Sequence, residues 1–142
     1  MSFDLELING DLKIQPNGKI RTVTDTPKLR QDVLKIILTP LGSVSAHPWY
    51  GCAFGDEIIG KNLPDQILDA QIKASITQSL DRLKALQMAQ SSTQRVSLAE
   101  MIEVVASIDV ERDIDDGRKL NILVTILSKR LAKLEELFTL IS

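Results

Sequence analysis

The chain has 142 residues, 44% apolar and 25% charged, with a formal net charge of −2 at pH 7. That length suits one domain, perhaps extended by an appended element, with a core large enough to need no disulfide or metal staple. The slightly acidic balance argues against a nucleic-acid binder. The single Cys excludes an internal disulfide and fits a reducing compartment, and no apolar run approaches the roughly 20 residues of a membrane span. Only 4% of the chain is aromatic, so the core must be built from Leu, Ile, Val and Ala.

The N-terminus, MSFDLELING, has no basic segment followed by an apolar run, so no signal peptide is expected. Phe3, Leu5 and Leu7 alternate with Asp4 and Glu6, the period of a half-buried strand. Asn9-Gly10 or Gly10-Asp11 offers a hairpin turn, Leu12 and Ile14 alternate again, and Pro16-Asn17-Gly18 turns into a third short strand with Ile20 and Val23. Residues 1–24 therefore read as a small β-meander.

Asp25 or Thr26 is positioned to cap a helix that has Pro27 in its first turn and Leu29, Val33, Ile36 and Ile37 on its buried stripe. Pro40 and Gly42 end it. Residues 40–55 read as an ordered loop carrying the only Trp, Trp49, beside the only Tyr, Tyr50. Aromatics gathered in such a loop serve as an interface anchor or as a plug over a small core. A short turn follows at Asp56–Ile59.

Pro64 opens the longest helix, with Leu68, Ile72, Ile76, Leu80, Leu83 and Leu86 at three- and four-residue spacing, up to a polar break at Gln90–Gln94. Residues 101–128 read as a long hairpin: Val104, Ala106, Ile108 and Val110 share one face, Asp115-Asp116-Gly117 turns, and Leu120, Ile122, Val124 and Ile126 alternate back. A lone hairpin is marginal, so it must pack on the long helix or pair with another chain. Lys129–Ser142 reads as a basic turn and an amphipathic helix, with Leu131, Leu134, Leu137, Phe138, Leu140 and Ile141 apolar. That helix covers either this domain's own sheet or a partner's groove.

Little catalytic chemistry is legible. One His and one Cys are too few for a zinc site. His47 and Cys52 share a loop, but no third group orients them as a nucleophile pair. There is no P-loop and no G-x-G-x-x-G. The acids Asp109, Glu111, Asp113, Asp115 and Asp116 gather at a strand end and turn, where acids are normally solvated. Asp56 and Glu57 are the only other adjacent pair, and no cleft is implied around them. Arg95 follows the polar break, either as a solvated charge or as a planar fork bridging carboxylates or carbonyls.

Gln31 in the first helix, Leu38-Thr39 at its end, Gly42 opening the loop and Pro48, Tyr50 and Gly51 closing it form an ordered pattern. In that order and spacing they resemble the baseplate wedge family that serves as sheath initiator in contractile phage tails and that includes a type VI secretion baseplate component. The likeness extends over about residues 25–128, by layout more than by identity. Two positions depart from it. Ser43 and Val44 stand where the family carries Glu-Arg, and its Glu-Pro-Arg motif is reduced here to Thr93-Gln94-Arg95, with Arg95 retained.

The expectation is an α+β fold in three parts: the meander at 1–24, a wedge-like domain at 25–128 holding a short helix, a long helix and the hairpin, and the terminal helix at 129–142. The resemblance implies a structural subunit of the inner wedge, near the tail tube, whose C-terminal hairpin initiates sheath assembly by strand pairing. It implies wedge subunits, sheath protein and the tail tube as neighbours, a place in the virion baseplate after synthesis in the host cytoplasm, and no enzymatic activity, cofactor, metal, small-molecule ligand, nucleic acid or membrane. The residues expected to meet partners are Trp49, Tyr50 and Arg95, then Val104, Ile108, Val110, Ile122 and Val124 of the hairpin, and Leu131, Leu134, Leu137, Phe138 and Ile141 of the terminal helix. The alternatives are a lysozyme-like glycan hydrolase and a helix-mediated adaptor.

Overall fold

The computed structural model describes residues 2–54 and 58–141, the last by its backbone alone. The fold is α+β, as the patterning predicts. Four two-residue strands come first: β1 (Asp4–Leu5) pairs antiparallel with β4 (Thr22–Val23), and β2 (Leu7–Ile8) with β3 (Asp11–Leu12). Asn9 and Gly10 turn β2 into β3 with φ of 53° and 82°, the two left-handed residues of the hairpin turn that Asn-Gly favours. The meander buries little of its own apolar surface, since Phe3, Leu5, Leu7 and Ile14 stay exposed.

What holds the meander is Gln31 of helix α1 (Asp25–Leu38). Its buried amide donates to the Leu5 carbonyl at 2.7 Å and to Asp4 Oδ2 at 2.8 Å, and its carbonyl accepts the Leu7 N–H at 2.9 Å. The side chain thus stands in for a peptide group between β1 and β2. The Lys35 ammonium also grips Asp4. Burial works to raise the Asp4 carboxyl, but Lys35 and Gln31 outweigh it and hold it below the usual range.

Helix α1 buries Leu29, Val33, Ile36 and Ile37 against Leu68, Ile72, Ile76, Leu80 and Leu83 of α2 (Asp65–Thr93), the stripes that spacing predicts. Its cap differs from expectation. Thr24 precedes the helix without a side-chain cap bond; the carboxylate of buried Glu100 accepts the Asp25 N–H at 3.2 Å instead, from a short 3₁₀ turn at Leu98–Glu100. The polar run at Gln90–Gln94 does not break α2 early. The Ser91, Ser92 and Thr93 hydroxyls bond back to the carbonyls of Met88, Ala89 and Gln90, so the helix carries them to Thr93.

The loop after α1 is ordered, as expected. Leu41 and Cys52 exchange backbone contacts with Cys52 and Thr39 at 3.0 and 2.9 Å, and Ser79 of α2 donates its hydroxyl to the Gly51 carbonyl at 2.8 Å. Gly51 has φ +120°, and a Cβ there would sit 2.5 Å from the Thr39 carbonyl oxygen. The turn expected at Asp56–Ile59 begins outside the described residues.

The rest is one three-stranded antiparallel sheet: β5 (Ile102–Arg112), β6 (Lys119–Ser128) and β7 (Lys133–Ile141), in that order. The expected terminal helix is a strand: Lys133–Ile141 is the sheet's third member. The alternation predicted for β6 holds: Leu120, Ile122, Val124 and Ile126 are all buried. That predicted for β5 does not. Register shifts at Ile102/Val104 and Val105/Ser107 leave Glu103 and Ala106 without partners. Each extra residue turns the strand over, so the inward set is Ile102, Val105, Ile108 and Val110, and Val104 is 49% exposed.

Gly51→Ala is expected to destabilise the chain by about 3 kcal/mol in urea unfolding, through strain plus a backbone clash. Gly42→Ala, at φ +82° but in open space, is expected to cost about 1 kcal/mol. Equal losses would mean that close packing at Gly51 is not the cause.

Candidate functional site

Antiparallel strands point their peptide groups alternately to either side, and two bonds at the sheet's ends fix which residues point where. Asp113 N–H bonds the Lys119 carbonyl, and Ser128 N–H bonds the Ala132 carbonyl. Carried along the register, these make the odd residues of β6 face β5 and its even residues face β7. In β7 the even residues Leu134, Glu136, Phe138 and Leu140 therefore bond to β6. The N–H and C=O groups of Lys133, Glu135, Leu137, Thr139 and Ile141 project from the opposite side, the outer edge of the sheet.

The two edges are treated differently. At the start of β5 the Gln87 amide oxygen accepts the Ile102 N–H at 2.8 Å, Lys84 Nζ donates to the Glu103 carbonyl at 2.7 Å, and two bulges break the line before Ser107. At its far end Arg112 binds Asp65 and the Gly117 carbonyl. Bulges and charged side chains of this kind are how proteins blunt an edge. The β7 register runs unbroken over nine pairs, and among the described residues no side chain or loop bonds to its outward peptide groups.

The inner face of β7 carries Leu134, Glu136, Phe138 and Leu140. Glu136 is 7% exposed, and its carboxylate is paired by Arg30 of α1. A buried carboxylate is tolerable only with such a partner. Leu137 is on the outer face and 64% exposed, opposite the half-buried Leu123, while exposed Val104 is opposite Leu127 nearer the other end of β6. Leu131, 74% exposed, lies at φ 63° in the β6–β7 turn.

The residues expected to meet partners fall into three groups. Ile122, Val124 and Phe138 are core, hold the sheet on the helices and are not available for docking; Ile108, Val110 and Leu134 pack partly against that core. Val104, Leu131 and Leu137 are exposed. The side chain of Ile141 lies outside the described residues. Trp49 is half-exposed in the loop, tilted against His47 with ring centroids 5.3 Å apart, while Tyr50 packs on the core. Arg95 is exposed in the extended link after α2. Sequence reasoning missed Arg30, Glu136, Lys84 and Gln87, because each acts on an element distant in the chain.

Cys52 is buried, and burial pushes its thiol up, which disfavours the thiolate that nucleophilic chemistry needs. Asp113 at the β5–β6 tip accepts the Asp115 and Asp116 N–H groups at 2.8 and 3.2 Å and is held below the usual carboxylate range by them; it organises the turn. Asp56 and Glu57 lie outside the described residues. Among the described residues no three His, Cys, Asp or Glu gather as a metal set, and no helix is long and apolar enough to cross a membrane. Set against protein-family models and curated proteins, the chain matches none.

Arg30→Ala leaves the Glu136 carboxylate buried without its cation and is expected to cost about 3 kcal/mol in urea unfolding. Arg30→Ala with Glu136→Leu removes both charges and is expected to recover most of that loss. A double variant as unstable as the single one would show that Arg30 acts by packing alone.

Proposed function

We propose that this chain is a structural subunit of a contractile-tail baseplate, an inner-wedge component that starts sheath assembly by accepting strands on its C-terminal sheet. The carrying observation is the edge of β7, straight and uncapped over nine pairs, beside a β5 edge that two bulges interrupt and that is capped at Ile102 and Glu103. An exposed edge is a template for strand addition: the main-chain ladder supplies affinity, and the alternating faces supply register. The pattern from Gln31 to Gly51 supports the reading further: within it Gln31 fixes the meander to α1, and Gly51 ties the loop to Thr39 and to α2.

The docking element differs from the hairpin expected from sequence. In this reading β5 and β6 form the platform and β7 receives the partner. A terminal helix inserting into a coiled coil is excluded, because that segment is a strand. Ser107 and Thr125 both face the internal β5–β6 ladder, so proline at either position tests folding and not docking. The reading assigns the chain no lytic chemistry, and purified cell wall should release no soluble glycan when incubated with it.

Leu137→Pro removes one outward N–H and no bond to β6, a placement that edge strands tolerate. The folded variant is expected to give baseplates with tubes but without sheath. Phe138→Pro removes a bond to β6 and is expected to lose the native circular-dichroism spectrum. Normally sheathed tails built with a folded Leu137→Pro chain would refute docking on this edge.

A further inference from the structure

A groove of about 600 Å³ runs between α1 and the meander, with Leu34, Leu38, Leu7 and Val23 among its walls. Arg30 lines it and also grips Glu136 on the inner face of β7, which ties the groove to that strand. Leu134 and Leu140, inward residues of β7, are only partly covered, and Leu38 is 68% exposed.

The geometry points to one composite site, the β7 edge together with the α1 groove, that takes an extended, uncharged partner strand with apolar side chains at every second residue. This rests on the edge reading above and goes beyond it by naming what the strand must carry.

Three features select that occupant. A row of outward peptide groups recurring every second residue can be satisfied in full only by another extended backbone. A strand added to β7 lies about 4.8 Å beyond it, so its inward side chains pass the covered core and hang over α1, where Leu34 and Leu38 stand. The charges that line the groove or stand on β7 are paired: Arg30 with Glu136, Lys35 with Asp4 and Asp32, Glu6 with Arg21, and Lys133 with Glu135 on the outer face at 2.5 Å. A charged strand would find no free counter-ion among these groups and would lose solvation as it docked.

The test titrates a synthetic peptide of alternating valine and threonine, as long as β7 and carrying a lysine tail beyond the paired stretch, onto the ¹⁵N-labelled full chain. Amide shifts are expected at Glu135, Leu137 and Thr139 of the edge, and at Leu7, Leu34 and Leu38 of the groove. Leu38→Ser, at an exposed position that leaves the fold intact, is expected to weaken binding about tenfold, the loss of one apolar contact of this size. The same peptide N-methylated on the residues that face the edge is expected not to bind. Edge shifts with unchanged affinity for the Leu38→Ser chain would overturn the groove's role and leave the edge reading standing. No edge shifts, or a self-associated dimer in sedimentation that excludes the peptide, would overturn both.

Discussion

A β-strand has two hydrogen-bonding sides, and β6 uses both. Its odd residues bond to β5 and its even residues to β7, while its inward side chains Leu120, Ile122, Val124 and Ile126 lie over the two helices. Once β6 is fully paired and buried, the sheet has two edges and no third place to grow. The first is interrupted by two bulges and capped at its start by Lys84 and Gln87 reaching from α2. The second is left straight. The difference between them, and not the presence of a sheet, carries the functional argument.

Two long-range polar arrangements make the rest of the molecule consistent with that sheet. Gln31 substitutes for a peptide group and fastens a meander that has no core of its own. Glu100, buried in the 3₁₀ turn that leads into β5, accepts the leading N–H of α1 with its side chain, while Gln87 of α2 donates to the Glu100 carbonyl and accepts the Ile102 N–H at the start of β5. Three of the positions on which the resemblance to sheath initiators rests are architectural in this chain: Gln31 anchors the meander, and Thr39 and Gly51 close the loop by a backbone approach too tight for a side chain.

Elements whose signals are local were legible in the sequence. The α+β class, the Asn9-Gly10 turn, both helical stripes and the inward face of β6 all follow from periodicity and turn chemistry. The terminal segment was not, and its residues show why. Leu131, Leu134, Phe138 and Ile141 repeat at helical spacing, and Leu, Lys and Glu favour helices. The strand reading is spoiled by a charge facing in at Glu136 and a leucine facing out at Leu137. Arg30, a hundred residues earlier in the chain, makes the inward charge tolerable, and the unpaired side of β6 supplies the ladder, so tertiary context overrides propensity. The faces of β5 were misread for a related reason. Two bulges shift the phase of its alternation, and nothing in the local sequence of Glu103 or Ala106 announces them. Of the candidate site, the exposed Val104, Leu131 and Leu137 were named from sequence, Val104 on the right strand but the wrong face and Leu131 and Leu137 as parts of a helix; the bulges of β5 and the reach of Lys84 and Gln87 to its start could not be read locally.

The central claim, that β7 presents an unpaired row of peptide groups which a sheath strand fills, is tested most directly by residue-resolved amide hydrogen exchange. In the free chain the account predicts slow exchange at Leu134, Glu136, Phe138 and Leu140 and fast exchange at Glu135, Leu137 and Thr139. Addition of purified sheath protein is predicted to slow the second set to the level of the first. Uniform protection along β7 in the free chain, or a sheath complex that leaves Glu135, Leu137 and Thr139 in fast exchange, would contradict it.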